Sequence, residues 1–348
     1  MMAADAYEPI AKAALNQHGV VQKELRFLGH SGNVTFYVEA PEEKFLLRIH
    51  QPFSGLQDDI WLRPDVIESE LLWLAALRDQ TNIIVQEPVQ NLEGRWVTQV
   101  LADDTQDVFY CTLLRWIDGY VSDTHRTPQQ AYQLGSLMAQ LHRHSSQWKL
   151  PQNFVRPIFD ENRLGTALSG LYPAVSYGLI SPDHYRMLTE ATQKIESTMK
   201  TLGQAQDIWG LIHADLHDTN YLFHNEQIRP IDFARCGFGY YLYDIAESIQ
   251  YLLPEVRFSF FEGYQTIRKL PEHYLQIVEG FFIMAIIYNY SFHLNNPKEH
   301  KCISDDVQHI AKRHLHKYLE GESFLLESQL VPTEETRKKQ LESAEVWQ

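Results

Sequence analysis

Short apolar runs dominate the first third of the chain, and their alternation is typical of β-strands. The segments NVTFYVEA (33–40) and KFLLRIH (44–50) are rich in β-branched, aromatic and aliphatic residues, and the PEE between them predicts a turn. A β-hairpin is therefore expected here. The segment VIESELLWLAAL (66–77) has apolar residues at helical spacing and predicts a helix. Three further runs predict more strands before Gly119: EPVQ, RWVTQVLA and DVFYCTLLRWIDG.

After Gly119 the spacing of the apolar residues becomes helical. Thr127 is expected to be the N-cap of a long helix, with Pro128 at its first position. The segment 183–202 and most of 271–319 are also helical by their periodicity. A short amphipathic helix is expected at the N-terminus.

These patterns predict an α+β protein with two lobes. Residues 1–115 would form a small antiparallel sheet with one main helix, and residues 116–330 a larger, mainly helical lobe. A tight connection near residues 114–119 would join the lobes, and residues 331–348 would be a charged peripheral tail.

Composition limits the functions that this chain can have. Of its 348 residues, 44% are hydrophobic and 22% are charged, as in an ordinary soluble globular protein. The net charge of −15 argues against general affinity for nucleic acid or an anionic membrane, because both require a basic surface. Three widely separated cysteines without a CxxC pair indicate no disulfide framework and favour a cytoplasmic location. The apolar segment FFIMAIIY (281–288) is too short to span a bilayer and is expected in a buried core helix.

The segment LIHADLHDTN (211–220) contains the candidate chemistry. Asp215 and Asn220 are five positions apart, and Asp232 follows after one strand-like run, NYLF. A carboxylate beside a hydroxyl can accept or orient its proton. An amide oxygen and a second carboxylate are hard ligands that suit Mg²⁺ and leave room for phosphate oxygens. This combination predicts a phosphoryl-transfer centre.

The same segment resembles the catalytic loops of kinases. Its spacing agrees with the protein-kinase motif H-R-D-x-x-x-x-N, with Ala214 in place of arginine, and Asp232 begins a D-F-A where D-F-G is expected. It more closely resembles the aminoglycoside phosphotransferase and choline kinase group, whose loop reads roughly H-G-D-x-H-x-x-N. The residues on that pattern are His213, Asp215, His217 and Asn220. The resemblance covers most of the chain and implies a bilobal protein-kinase-like fold.

The resemblance implies a role for each matching residue. Asp215 would be the catalytic aspartate that orients or deprotonates the acceptor hydroxyl, while Asn220 and Asp232 would hold Mg²⁺. His213 would brace the loop, and His217 would either do the same or lie near the acceptor. Asp244, in GFGYYLYDIAESI, belongs to a segment that resembles the one closing the active site in this group.

Residues 1–115 would bind ATP. Arg48 in FLLRIH would contact its α- and β-phosphates and pair with Glu70, while Glu68 is the alternative partner on another face of the same helix. Alternation along the strand places Arg48 opposite its apolar neighbours, so an exposed strand residue is the competing interpretation. Ser31, Gly32 and Asn33 would bring backbone N–H groups to the phosphates. Main-chain groups from Leu114 to Trp116 would contact the adenine ring.

Departures from the family pattern concern the acceptor. Asp218 and Thr219 replace the Pro-Gly commonly found before the metal-binding asparagine, and Ala234 and Arg235 follow Asp232 where relatives often carry further acidic residues. If Arg235 faces the pocket, a strongly cationic acceptor becomes less attractive. The expected acceptor is a hydroxyl of a small molecule, and homoserine, choline, a sugar and an antibiotic are all compatible.

Hydrolase motifs have little support in the sequence. A zinc hydrolase using His213, Asp215, His217 and His224 has no H-E-x-x-H order to support it, and a G-x-S-x-G elbow is absent from the sequence. A serine/threonine protein kinase of the same superfamily and a nucleotide-binding pseudokinase remain as alternatives.

Overall fold

The alternating runs of the first third form an antiparallel sheet. Its strands are β1 (Glu24–His30), β2 (Val34–Glu39), β3 (Lys44–Ile49), β4 (Pro88–Val89), β5 (Val97–Leu101) and β6 (Val108–Arg115). The order across the sheet is β1-β2-β3-β6-β4, and β5 also pairs with β6. The predicted hairpin is confirmed, since Val34 pairs with Ile49 and Glu39 with Lys44.

This architecture comes from a computed structural model, which describes residues 2–30, 32–51, 59–102 and 107–327. Two predictions fall outside the described residues: the phosphate contact of Ser31 and the peripheral tail at 331–348.

Two helices cover the two faces of the sheet. The predicted N-terminal helix is α1 (Met2–Gln17), and the helix predicted at 66–77 is the centre of α2 (Pro64–Gln80). Residues of α1 share one hydrophobic cluster with the sheet, and residues of α2 share another. The sheet therefore has apolar side chains on both faces, which is why its strands read as nearly continuous apolar runs.

Alternation along β3 decides the environment of Arg48. Phe45, Leu47 and Ile49 belong to the cluster that contains α1, whereas Leu46 belongs to the cluster that contains α2. Arg48 has the same parity as Leu46 and therefore faces α2. Because a helix covers this face, Arg48 is only 3% exposed. The interpretation of Arg48 as an exposed strand residue is wrong.

The chain leaves the sheet through a short segment anchored to the second part of the protein. Tyr120 exchanges two backbone hydrogen bonds with Phe223, of 3.0 and 2.9 Å. Gly119 has a φ of +157°, and a Cβ there would lie 2.7 Å from the Cβ of Leu222. Only glycine fits both constraints. The boundary between lobes after residue 115 stays a prediction.

The remainder is mainly helical, as predicted. Its helices are α3 (Pro128–Gln147), α4 (Glu161–Gly170), α5 (Tyr172–Ser176), α6 (Pro182–Leu202), α7 (Tyr241–Ile249), α8 (Pro254–Gln265), α9 (Tyr274–His293), α10 (His300–Ile310) and α11 (His316–Glu320). Two small antiparallel sheets pair β7 (Trp209–Ile212) with β10 (Gly237–Tyr240), and β8 (Tyr221–His224) with β9 (Gln227–Pro230). Thr127 is the N-cap of α3 and forms a capping box with Gln130.

The apolar segment 281–288 lies within α9. By length and composition alone this helix passes as a candidate membrane span, but 67% of its apolar window is buried inside the protein. Phe281, Ile283 and Met284 are all fully buried. The prediction of a buried core helix is confirmed.

Helices α3 and α8 approach each other through a reciprocal pair of glycines. A Cβ on Gly135 would lie 1.9 Å from the carbonyl oxygen of Phe260, and a Cβ on Gly263 would lie 1.9 Å from that of Tyr132. Such distances are impossible for non-bonded atoms, so both glycines are required by the close contact between the backbones.

We expect Gly135→Ala to destabilise the protein by about 1–3 kcal/mol, because the two helices must move apart to admit the methyl group. Urea denaturation measures the loss. The control is Gly165→Ala in α4, where the nearest atom to the new Cβ would be 3.9 Å away. That variant should be neutral or gain about 0.4–1 kcal/mol. Equal stability of the two variants would contradict the tight contact.

Candidate active site

A buried carboxylate holds the backbone of the loop that contains Asp215. Asp244, on α7, accepts hydrogen bonds from the N–H groups of His213 (3.0 Å) and Ala214 (2.7 Å). His142, on α3, contacts the same carboxylate through Nε2 at 2.9 Å. Burial would raise the pKa of Asp244, but its hydrogen bonds with His142 and the backbone donors keep that pKa below its ordinary value. The carboxylate is therefore ionised, and both of its oxygens accept hydrogen bonds.

The residue before Asp215 has an unusual backbone conformation. Ala214 has a φ of 62°, in the left-handed region that favours glycine. Its N–H group is the one held at 2.7 Å by Asp244. Alanine therefore adopts here, at a cost of roughly 1–2 kcal/mol, the conformation for which related loops carry glycine.

His213 links this loop to the segment before Asp232. Its Nε2 lies 3.0 Å from the carbonyl oxygen of Ile231 and donates to it, because a carbonyl can only accept. Burial lowers the pKa of His213, so the ring is neutral and its proton is on Nε2. His213 is thus a support that fixes the distance between the two acidic segments.

Both carboxylate oxygens of Asp215 are engaged. Oδ2 accepts from Nδ2 of Asn220 at 3.1 Å, and Oδ1 accepts from Nη1 of Arg235 at 3.0 Å. The Asn220 amide also donates to the backbone carbonyl of Asp215 at 2.8 Å. The side chain of Asp215 remains 16% exposed. It is oriented by two donors, yet it can still be reached from outside.

Arg48 connects the large sheet with the segment that follows the loop. Its Nη2 pairs with Oε1 of Glu70 at 2.7 Å, and its Nη1 lies 3.9 Å from Oδ1 of Asp232. Glu68 is exposed and does not take part in this pair. Nε of Arg48 is buried without a hydrogen-bond partner among the described residues. An orphaned cationic donor at this place fits an anionic ligand such as a nucleotide phosphate.

The donor set of Asn220 and Asp232 fits a hard cation. Asn220 uses its NH₂ group on Asp215, and its amide oxygen has no donor among the residues that the structure describes. Asp232 has a φ of 57° and its side chain is 42% exposed. An amide oxygen and a carboxylate suit Mg²⁺ that keeps waters and phosphate oxygens. Within the described ranges, no group of three or more His, Cys, Asp or Glu residues could hold a metal, so the zinc hypothesis has no support.

The other predicted nucleotide contacts lie in the turn between β1 and β2 and at the end of β6. Gly32 and Asn33 lie in the turn between β1 and β2, and a Cβ on Gly32 would meet nothing within 4 Å, so the turn is open above this residue. Leu114 is buried in β6. The N–H groups of Arg115 and Trp116 already donate to the carbonyls of Glu87 and Lys44. An adenine contact in this segment would have to use other main-chain groups, and it stays a prediction.

His217 is part of the loop network. Its Nε2 lies 3.0 Å from the amide nitrogen of Asn220, and its Nδ1 lies 3.0 Å from the hydroxyl of Thr219. Burial would lower the pKa of His217, but the nearby carboxylates of Asp218 and Asp215 raise it above its ordinary value. His217 is therefore a support for Asn220 that also faces two carboxylates.

Three buried residues that sequence reasoning missed hold this site together. Arg156 donates to the carbonyls of Val66, Ala234 and Cys236, which ties α2 to the segment after Asp232. Arg126 donates to the carbonyl of Asp218 and to the hydroxyl of Tyr221. Both arginines lie in irregular segments without periodicity, so no pattern could reveal them. His142 is the third of these residues. Its position on the apolar face of a predicted helix could have indicated that it is buried.

Buried polar groups without partners lie close to Asp215 and Arg235 in the described structure. On α7, the hydroxyl of Tyr243 and Oε1 of Glu247 have no hydrogen-bond partner within the described part of the chain, and neither does Oδ1 of Asp218 in the loop. Glu247 is only 1% exposed. Unsatisfied buried groups are rare in proteins and indicate a place for water or a ligand. These groups are therefore candidates for contact with water or a bound molecule.

Most of the chain matches a known enzyme family. The phosphotransferase enzyme family matches residues 24–273, which include the large sheet, the catalytic loop, Asp232 and Asp244. The chain belongs to this family. The resemblance seen in the sequence is confirmed, and the protein is a phosphotransferase.

Several relatives resemble this phosphotransferase over most of its length. It is 22% identical to the amicoumacin kinase of Bacillus subtilis (strain 168) over 290 residues, which are 79% of this chain and 81% of that protein. The structure of a microcompartment-associated aminopropanol kinase is similar with a TM-score of 0.75 and 26% identity, covering 92% of this chain and 99% of that one. An amicoumacin kinase in complex with AMP-PNP and Ca²⁺ is similar with a TM-score of 0.69 and 18% identity, covering 91% and 94%. These likenesses confirm the predicted bilobal, protein-kinase-like fold.

Glu247 should make the stability of the phosphotransferase depend on pH. Burial raises its pKa from an ordinary value of 4.5 to about 7. The unfolded chain therefore releases this proton before the folded protein does, so ionisation of Glu247 lowers stability as the pH rises from 4.5 to 7. The full penalty, about 1.4 kcal/mol per unit of pKa shift, is present above pH 7.

We expect Glu247→Gln to remove this penalty, since the amide is nearly isosteric and stays neutral. The free energy of unfolding of the variant should exceed that of the wild type only slightly at pH 5 and by a few kcal/mol at pH 8. Urea denaturation at both pH values measures this difference. Glu262→Gln, on the exposed surface of α8, is the matched control and should show no such difference. A gain for Glu247→Gln that is the same at both pH values would contradict the argument.

Proposed function

We propose that this phosphotransferase uses Mg²⁺ and transfers the γ-phosphate of ATP to a hydroxyl group of a small molecule. The observation that carries the proposal is the arrangement around two aspartates. Asp215 is held by Asn220 at 3.1 Å, and Asp232 lies 3.9 Å from Arg48, which is itself paired with Glu70. A base for the acceptor, two oxygen ligands for a metal and a cation for the phosphates thus lie in one connected set of residues.

Asp215 would act on the acceptor. Its carboxylate can accept the hydroxyl proton, because each oxygen keeps a lone pair beside its existing hydrogen bond. The acceptor oxygen forms a bond to the γ-phosphorus while the bond from this phosphorus to the β,γ-bridging oxygen breaks. ADP leaves with the electron pair, and the hydroxyl proton passes to Asp215. Since the protein does little covalent chemistry in such a transfer, alignment by Asp215 supplies much of its contribution.

Asn220 and Asp232 would hold the metal, and Arg48 would contact the α- and β-phosphates. Bound Mg²⁺ neutralises phosphate charge. Arg48 is held in place by Glu70 and has one buried N–H group without a partner among the described residues, which supports a role in binding an oxyanion. Replacing it by lysine would lose the forked donor geometry, although the charge would remain.

A small-molecule acceptor is supported by the relatives, which include kinases of aminopropanol and amicoumacin. Both names describe those proteins, and they make small alcohols the first acceptors to test here. A cytoplasmic location is also part of the proposal. It is supported by the cysteines, which are three in number, widely separated in the sequence and without a CxxC pair.

We expect Asp215→Ala to abolish transfer while leaving nucleotide affinity nearly unchanged, because this carboxylate acts on the acceptor. Asp232→Ala should instead weaken binding of the Mg²⁺-nucleotide complex, with little effect on nucleotide alone. Titration calorimetry with AMP-PNP, with and without Mg²⁺, and an ADP-release assay separate the two effects. Unchanged turnover of the Asp215 variant would refute the role given to this residue.

The function itself is tested by an ADP-release screen of the wild type with ATP and Mg²⁺. The panel contains amino alcohols, sugars, aminoglycosides and a generic protein substrate. Release with small alcohols alone supports the proposal, whereas release with the protein substrate would favour the protein-kinase alternative. Nucleotide binding without release for any acceptor would favour the pseudokinase.

A further inference from the structure

Arg235 has donors that the protein does not use. Among the described residues its one hydrogen bond runs from Nη1 to Oδ1 of Asp215, at 3.0 Å. Its Nε and Nη2 have no hydrogen-bond partner in the described part of the chain, and the side chain is 23% exposed. The guanidinium lies over the ring of Phe292, with Cζ 5.4 Å from the centroid. Because an aromatic ring covers its face, the unused edge is the direction from which a ligand can approach.

This unused edge has the geometry of a carboxylate site. Nε and Nη2 lie side by side in the plane of the guanidinium and form a fork that matches the two oxygens of a carboxylate. Nη1 of the same guanidinium contacts Asp215. A molecule bound at the fork would therefore lie close to the catalytic carboxylate. A hydroxyl on a short chain would then reach Asp215.

The remaining charges around Arg235 leave room for one anion. The groups that interact electrostatically with it include Asp215, Tyr243, Glu247 and Tyr251, together with Tyr288 and His293. Glu247 is almost fully buried and keeps one oxygen without a partner. Burial raises its pKa to about 7, so it competes only weakly for the arginine below that pH. Asp215 is then the main internal counter-ion, and it occupies only one end of the guanidinium.

We propose that Arg235 binds a carboxylate of the acceptor, so that the substrate is a small hydroxy acid or a hydroxylated amino acid. This inference rests on the proposed function and names the substrate class of the same site. A carboxylate suits the site better than a phosphate, because a single guanidinium fork matches one planar group of single charge. The unpartnered oxygens of Glu247 and Asp218 can accept hydrogen bonds from the rest of the molecule, including an ammonium group.

The test uses four alcohols that differ in two groups. Homoserine carries a carboxylate and an amine, 4-hydroxybutyrate only the carboxylate, 3-aminopropan-1-ol only the amine, and propan-1-ol neither. With ATP and Mg²⁺, we expect kcat/KM to be roughly ten- to a hundredfold higher for each carboxylate than for its partner without it. Transfer to the compounds without a carboxylate and none to those with it would overturn the proposal.

Arg235→Gln separates binding of the acceptor from positioning of Asp215. If Arg235 binds the carboxylate, the ratio of kcat/KM between each matched pair should fall to about one, and Arg235→Lys should restore part of it. If Arg235 only positions Asp215 or stabilises the transferred phosphoryl group, all four alcohols should lose activity by the same factor and the ratio should be unchanged. An unchanged ratio overturns the proposal.

Two controls make failure interpretable. Arg186→Gln, on the exposed face of α6, removes a charge that is paired with Glu190 and should leave every rate unchanged. If none of the four alcohols accepts phosphate, their binding to the AMP-PNP-loaded protein is measured by calorimetry. Carboxylate binding that is lost in Arg235→Gln supports the proposal, and no carboxylate binding overturns it. Absence of nucleotide binding would instead refute the proposed function.

Discussion

The contact between Asp244 and the backbone at His213 and Ala214 is the one on which the active site depends. A fully buried carboxylate is costly unless its oxygens are satisfied, and here two main-chain N–H groups and His142 satisfy them. The same contact stabilises the left-handed conformation of Ala214 and so sets the direction in which Asp215 leaves the loop. Removing one partner would leave an uncompensated buried charge, which is why α7 and the loop behave as one unit.

A second set of contacts brings the large sheet and the helical part of the chain to the same point. Arg48, on β3, is paired with Glu70 of α2 and lies 3.9 Å from Asp232. Arg156 joins α2 to the same segment through the carbonyls of Val66, Ala234 and Cys236, while His213 supports it from the other side through Ile231. The position of Asp232 is thus determined by charged or polar groups from both parts of the protein. Nucleotide affinity and the packing of α2 are expected to vary together for this reason.

The sequence predicts those features of the site that depend on short-range periodicity. Helical spacing favours Glu70 over Glu68, as the structure shows, whereas Asn220 and Asp215 are grouped by the kinase-like motif and not by periodicity. The sequence does not reveal Arg126 or Arg156, because both act from irregular segments on carbonyl groups more than 75 positions away. Long-range hydrogen bonds to main-chain oxygens require only a donor of suitable reach, so they leave no pattern in residue type.

Arg235 illustrates how one residue in a catalytic segment changes the electrostatics of a family site. In the described structure Arg235 forms an ion pair with Asp215. The negative charge of this carboxylate is therefore already balanced before a substrate binds. A cationic acceptor would have to replace this ion pair, whereas an anionic acceptor can add to the other edge of the same guanidinium. The cation that orients the base therefore disfavours one class of alcohol and favours another. Arg235 therefore affects both acceptor specificity and the orientation of the catalytic base, so the two properties cannot change independently at this residue.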